Sequence, residues 1–338
     1  MSIRKPRLEE LPDLIKMVSR AFQYKEGNLV NRDFPLLYSP SNIHNLLVME
    51  EEGALLAHAG RSEQKLKLEG VILPVSGIGG VCTEHAAQGK GYATKLVEKL
   101  LEEAKAAGSA LAFLWSDRPE FYQKLGFELV GRQWCLDLQS EPLKKLAAAT
   151  EVYSFTISST RNDDFFTQSF SLLSAQDLGV ARSFSDHRKL LSSAGCEIFS
   201  AWLGSDLMAY MVLNKGRDLQ GYIHEWAGEA EALLSLLPHV AKAGAKFLLT
   251  PHFTPEEAPW IYRLEELGFS MEAQSMGMVN ILNLSMLEEV LQKCAPEFSL
   301  TQAEMEMTRS ELTQLLFGVE EESELKPLRL WFWGMDSV

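Results

Sequence analysis

The 338-residue chain is 46% hydrophobic and 23% charged, which excludes a wholly disordered protein and supplies apolar material for about two domains. With 32 basic against 46 acidic side chains, the net charge of −14 argues against a general nucleic-acid or anionic-membrane binder, which needs a basic face. The acid is unevenly placed: residues 1–140 carry 17 basic and 18 acidic side chains, whereas 141–338 carry 15 and 28.

In chain order, a short strand near residues 3–7 leads into 8–22, where Leu11, Leu14, Ile15, Val18 and Phe22 recur at helical spacing. Residues 23–40 read as irregular, a surface segment of the kind that carries substrate sites. Four β runs follow at 45–50, 54–61, 63–69 and 71–83, separated by turn residues. A helix over 91–107 carries the stripe Tyr92, Leu96, Leu100 and Ala104, with Gly108 placed to end it. A strand at 110–115, a short helix at 119–125 and a strand at 127–138 complete a first domain, and 144–149 reads as a linker.

The second half repeats this order more weakly: an apolar run at 199–212, a strand near 221–226, a helix at 230–243, a strand at 246–250, a helix at 255–267 and a strand at 269–283. Leu125-Gly126-Phe127 returns as Leu267-Gly268-Phe269, each time after a short amphipathic helix carrying a tyrosine. A period of that size points to a duplicated fold rather than a solenoid. The tail holds a helical stretch at 300–317, an acidic cluster at 320–324 and an apolar end, Leu330-Trp331-Phe332-Trp333-Gly334-Met335, which should be docked rather than frayed. Cys82, Cys135, Cys196 and Cys294 are scattered without metal-ligand spacing and read as single thiols in a reducing compartment. No signal-like or membrane-spanning run is visible, so the expected location is cytoplasmic and no metal is expected.

The most informative segment is 75–101. A strand ends in Val81-Cys82-Thr83, and after a polar turn Gln88-Gly89-Lys90-Gly91-Tyr92-Ala93-Thr94 opens the amphipathic helix. Two glycines let a ligand approach the backbone, and a helix N-terminus offers unpaired N–H groups and partial positive charge, to which Lys90 adds a full one. That is a phosphate cradle. A Rossmann reading lacks the third glycine and an acidic end to the next strand, and a Walker reading lacks the Gly-Lys-Ser/Thr ending. A two-glycine turn could equally be only a tight strand–helix connection.

Gln88-x-x-Gly91-x-Ala93 resembles the acetyl-CoA pyrophosphate motif of the GNAT superfamily of N-acetyltransferases, and Phe121-Tyr122-x-x-x-Gly126-Phe127 resembles a later motif of that fold. The layout, with Gly79-Gly80-Val81-Cys82-Thr83 and the degenerate Glu225-Trp226-Ala227-Gly228, is similar to tandem-GNAT proteins of the Eis type, although the tail is shorter than theirs. The resemblance implies an α+β chain of two tandem GNAT-like domains, each a mixed, mostly antiparallel sheet flanked by helices. The implied division is a catalytic domain at 1–140, a degenerate domain at 150–284 and a docking extension at 285–338. It implies direct acetyl transfer from acetyl-CoA to a primary amine in a ternary complex, with the second domain shaping the acceptor site. The acceptor, a small molecule or peptide, would be cationic. The alternative is a non-catalytic acyl-CoA-binding or regulatory protein that retains the cleft.

By the same resemblance, the backbone of Val81, Cys82 and Thr83 would hold the pantetheine arm and the acetyl carbonyl, and residues 88–94 the pyrophosphate. Tyr122 would protonate the departing thiolate. Candidates for the general base are Glu26, Glu84, His85 and Asp117, and also the terminal carboxylate of Val338, which a docked tail could insert into the first domain's cleft. In the second half, Glu229 and Glu231 stand where a phosphate turn would be and should repel a pyrophosphate, and Tyr262 should be inert.

Overall fold

The computed structural model describes residues 2–25, 27–68, 70–150, 154–294, 300–318 and 329–338. The expected base Glu26 and the acidic cluster at 320–324 lie outside these residues. The strands are β1 (Ser2–Arg4), β2 (Leu46–Glu51), β3 (Ala54–Leu68), β4 (Val71–Thr83), β5 (Leu111–Leu114), β6 (Glu128–Asp137), β7 (Thr156–Ser158), β8 (Gly179–Val180), β9 (Glu197–Leu203), β10 (Asp206–Leu213), β11 (Tyr222–Gly228), β12 (Phe247–Pro251) and β13 (Ser270–Ile281).

Among the described residues these strands form one mixed sheet, ordered β1-β2-β3-β4-β5-β13-β6-β12-β11-β10-β9-β7, with β8 added beside β3. Pairing is parallel at β4–β5 and β11–β12 and antiparallel elsewhere. The order shows an exchange. β13, from the second half, lies between β5 and β6, while β6, from the first half, lies between β13 and β12. The sheet therefore runs unbroken through both halves, and the largest apolar core joins Leu73 and Phe113 to Trp226, Leu233 and the tail residues Trp331 and Trp333.

Several local expectations change. The runs 54–61 and 63–69 are one strand, because β4 pairs along its whole length. Residues 144–149 are no linker: they belong to the helix Ser140–Thr150, whose Leu146 is fully buried and which packs on the helix Ala230–Lys242. The run 199–212 is a hairpin, β9–β10, turning at Gly204 with φ +63°. In the tail, the stretch 300–317 is two helices, Gln302–Met305 and Arg309–Phe317, the second opened by a capping box of Thr308 and Glu311. Helices Asp163–Ser174, Phe184–Leu191 and Leu284–Cys294 are further elements of the second half and tail.

The Leu-Gly-Phe repeat has the same physical basis in both halves. Gly126 and Gly268 adopt φ +83° and +98°, the left-handed conformation that ends a helix. Phe127 and Phe269 then return N–H bonds to Tyr122 and Leu264 at 3.1 Å each, and both rings are buried. The tail docks as its composition suggested. Phe332 stacks on Phe113 with centroids 3.8 Å apart, and Trp333 meets Trp226 edge-on at 5.3 Å. Burial of each such ring is worth roughly 2–3 kcal/mol.

Candidate active site

β4 and β5 pair over only three positions, Val75↔Leu111, Ser76↔Ala112 and Gly77↔Phe113. Beyond Gly77, β4 continues to Thr83 without β5, so the two strands part and, among the described residues, no strand covers the β5-facing edge of β4. On its other side β4 remains paired with β3, with a register shift between His58 and Gly60, opposite Cys82 and Gly79. Gly80, in the extra stretch of β4, has φ +63°. Val81, Cys82 and Thr83 thus lie along the open side of a split sheet.

At the end of that split, the 3₁₀ turn His85–Ala87 leads to the glycine turn. Gly89 and Gly91 have φ +77° and +73°, with nothing within 4 Å of where a Cβ would project. They are glycine for their backbone conformation and leave open space above it. Gly91 caps the helix Tyr92–Ala106, whose N-terminus carries no side-chain cap and no acidic residue in its first turn. The N–H groups there therefore remain available to an anion. Gln88, Gly89 and Lys90 are exposed and Ala93 and Thr94 half-buried. Tyr92 differs: its ring is buried in the core, so only its backbone can contribute.

The corresponding place in the second half is closed. β11 and β12 pair only at Tyr222↔Phe247 and Ile223↔Leu248 and then part, but the indole of Trp226 fills the gap and donates to Leu249 O at 3.1 Å. A Cβ on Gly228 would collide with Met208 O, to which the Glu229 N–H also donates at 2.8 Å. Glu231 stands in the first helical turn. Tyr262 donates its hydroxyl proton to Phe253 O at 2.7 Å.

Tyr122 sits on the helix Pro119–Gln123 just beyond β5, edge-on to Phe121 and Phe127. Burial, helped by Asp117, pushes its phenol up to about 12, so it stays protonated at neutral pH. The Cys82 thiol is likewise pushed up to about 12, by burial and then by Glu84, and is chemically quiet. Among the other base candidates, Glu84 is paired with Arg20 at 2.8 Å, and His85 and Asp117 are exposed.

The last residues reach β4. A Cβ on Gly77 would come within 2.6 Å of Val338 Cγ2 and 2.9 Å of the Phe113 ring, and one on Gly79 within 2.6 Å of Val338 O. These two glycines provide the seat of the terminal residue, at the point where β4 leaves β5. Beside it is a small recess lined by Phe34, Leu37, Leu190 and Met335 with Ser62 and Gln64.

Sequence reasoning missed the groups that hold this arrangement. Arg182 is buried and bonds both Asp336, at 2.7 Å, and Glu225, at 2.5 Å, while Tyr210 donates to Glu225 at 2.9 Å. Lys215, also buried, contacts the tail; burial pulls its amine down to about 7 against the opposing charge of Asp336. His58, under Gly80, is held neutral near 4 by burial. A carbonyl can only accept, so Leu47 O at 2.9 Å places the ring proton on Nδ1. Nε2 then faces the Tyr38 hydroxyl at 3.5 Å. Isolated polar residues within apolar strands gave no pattern to find them by.

Residues 2–130 match the family model for the acetyltransferase (GNAT) domain. No curated protein matches the chain in sequence. Among solved structures, it is similar to a GCN5-related N-acetyltransferase from Kribbella flavida, at 18% identity and TM-score 0.63 over 86% of this chain and 74% of that one. It is also similar to Eis1 from Mycobacterium abscessus, at 12% identity and TM-score 0.55 over 84% and 74%. Saccharomyces cerevisiae N-myristoyltransferase with bound myristoyl-CoA aligns at 12% and 0.51 over 82% and 77%. The chain has the GNAT fold, and residues 2–130 match the GNAT acetyltransferase domain. Among the described residues, no His/Cys/Asp/Glu group suited to a metal occurs and no helix is long and apolar enough to cross a membrane.

Proposed function

We propose that the chain is an N-acetyltransferase that moves an acetyl group from acetyl-CoA to a primary amine by direct attack in a ternary complex. The observation that carries this reading is the split between β4 and β5, where a glycine turn, an uncapped helix N-terminus and the terminal residue meet one open backbone edge. The N–H groups of 88–94 and Lys90 bind the pyrophosphate, and the free edge at Val81, Cys82 and Thr83 takes the pantetheine and faces the oxyanion. Residues 1–140 are the catalytic unit in this reading, 150–284 a degenerate GNAT-like unit and 285–338 the extension that docks on both. Trp226 and Gly228 support the second unit's loss of CoA binding.

The chemistry asks for one proton out and one proton in. The amine nitrogen bonds to the thioester carbonyl carbon, and the carboxylate of Val338 accepts the amine proton. The C–S bond then breaks and Tyr122 donates its proton to the departing sulfur. The acceptor is a cationic amine that gives one proton to solvent before its neutral nitrogen attacks. Because the recess by Val338 is mostly apolar and Asp336 is already matched by Arg182, the terminal carboxylate supplies the local attraction.

Calorimetric titration with acetyl-CoA, followed by CoA release across a panel of primary amines, tests the reading. Deleting Ser337 and Val338 should abolish release while acetyl-CoA affinity is retained; unchanged release removes Val338 from the mechanism. Acetyl-CoA binding with no release for any amine would favour a binding or regulatory protein.

A further inference from the structure

The tail carries its own anchor. Lys215 lies on the loop between β10 and β11 and is 3% exposed. Its Nζ donates to Gly334 O at 2.8 Å, Ser337 O at 3.0 Å and Ser337 Oγ at 2.7 Å, with Met335 O at 3.3 Å. All four oxygens belong to the stretch around the single 3₁₀ turn Gly334–Asp336. Burying an amine is costly, and here the oxygens that offset the cost come from one short segment wound around it. Without the amine, Met335 O and Ser337 O would lose this partner, while Gly334 O would keep the Ser337 hydroxyl at 2.7 Å.

We propose that Lys215 is the positioning residue for the chain terminus, winding 334–337 about its Nζ and so fixing where Val338 meets Gly77 and Gly79. The proposal rests on the reading of Val338 as the proton acceptor. The turn is held at complementary points. Arg182 grips the Asp336 carboxylate and Gln64 donates to Asp336 O at 2.9 Å, while Lys215 holds the residues on either side. Gly334 is glycine because a Cβ there would come within 2.5 Å of His224 Nδ1.

The loop that presents the lysine is itself fixed. Asn214 adopts φ +64°, and its Oδ1 accepts the Gly221 N–H at 2.7 Å. His224 Nε2 meets Asn214 O at 3.0 Å. Arg217 donates to Phe22 O at 3.0 Å, and the Phe34 ring lies 4.6 Å from Lys215 Nζ. The clamp therefore ties a loop of the second half to the first half's irregular segment and to the tail.

The test is Lys215→Met in the full chain, checked by thermal melting and read two ways. Deuterium exchange of a peptide spanning 329–338 should be at least tenfold faster at the Asp336 amide, which is held by Trp333 O at 2.8 Å. The kcat for CoA release should fall at least tenfold while KM for acetyl-CoA stays within twofold. Wild-type exchange overturns the proposal, whatever happens to kcat. Faster exchange with unchanged kcat supports the clamp and overturns Val338 as the proton acceptor. If Lys215→Met does not melt cooperatively, Ser337→Ala removes the 2.7 Å contact from the tail side together with the hydroxyl's bond to Gly334 O, and Lys215→Arg, which keeps the charge but not the compact amine, should show the same faster exchange. At least threefold faster exchange is then expected, and unchanged exchange overturns the proposal. Because exchange is read without acyl donor or amine, its result is independent of the acetyltransferase reading.

Discussion

One added methyl group at Gly79 probes the seat of the chain terminus. In Gly79→Ala the new Cβ would fall 2.6 Å from Val338 O and 3.1 Å from Val338 Cβ, closer still to the carboxyl carbon. Ordinary contact begins at 3.4 Å, so the carboxyl oxygen must retreat by about 0.8 Å from its 2.6 Å approach and the carboxyl carbon by about 1 Å. Gly79 pairs with Gly60 in a strand and needs no left-handed backbone, so alanine does not strain β4 itself. Displacing a reacting group by about 1 Å costs on the order of 100-fold in rate, or about 2.7 kcal/mol. Steady-state CoA release should therefore show kcat down about 100-fold, with the melting temperature and the acetyl-CoA Kd near those of the parent. A kcat within about twofold of the parent would refute the reasoning, because a carboxyl that can be moved this far without consequence is not taking the proton.

Tyr122→Phe should lower kcat by about 100- to 10,000-fold with acetyl-CoA affinity unchanged, measured by titration and CoA release; a small loss would leave the phenol as packing only. Gly91→Ala places a side chain on a backbone with φ +73° and over the anion cradle. Urea unfolding should show a loss of about 1 kcal/mol and calorimetry a weaker acetyl-CoA Kd; full affinity would place the pyrophosphate elsewhere. His58, His187 and His224 are each held neutral near 4 by burial. The unfolded chain, with imidazoles near 6.5, binds protons between about pH 6.5 and 4 that the folded chain does not. Stability is then fully present above that window and falls through it by up to about 1.4 kcal/mol per pH unit for each ring. Urea midpoints measured across the window check this, and a flat profile would contradict it.

The features legible in the sequence are those set by local backbone demands. The turn at 88–93 needs glycine at left-handed positions before an amphipathic helix, and Leu-Gly-Phe needs one after a helix, so both leave marks on adjacent residues. The apolar end of the tail was equally plain, because tryptophans and phenylalanine in a row require cover. The strand exchange was not legible. Pairing of β13 with β5 and β6 depends on registers more than a hundred residues apart, and no neighbour in the chain encodes them. The helix Ser140–Thr150 hid for a related reason: its alanines and lysines are neutral about burial until Leu146 finds the helix Ala230–Lys242. Arg182, Lys215 and His58 acquire meaning only when the tail and the split strand bring partners to them.

The exchanged strands also bear on how the chain is made. A ribosome delivers β5 and β6 well before β13, the strand that must lie between them. At roughly 5–20 residues per second, the wait is on the order of ten seconds. During it the first half presents unpaired strand edges, the kind of surface that recruits other chains. The N-terminal part expressed alone should keep that exposed edge and aggregate, and refolding of the full protein should be slow, since its decisive contacts close the longest loops.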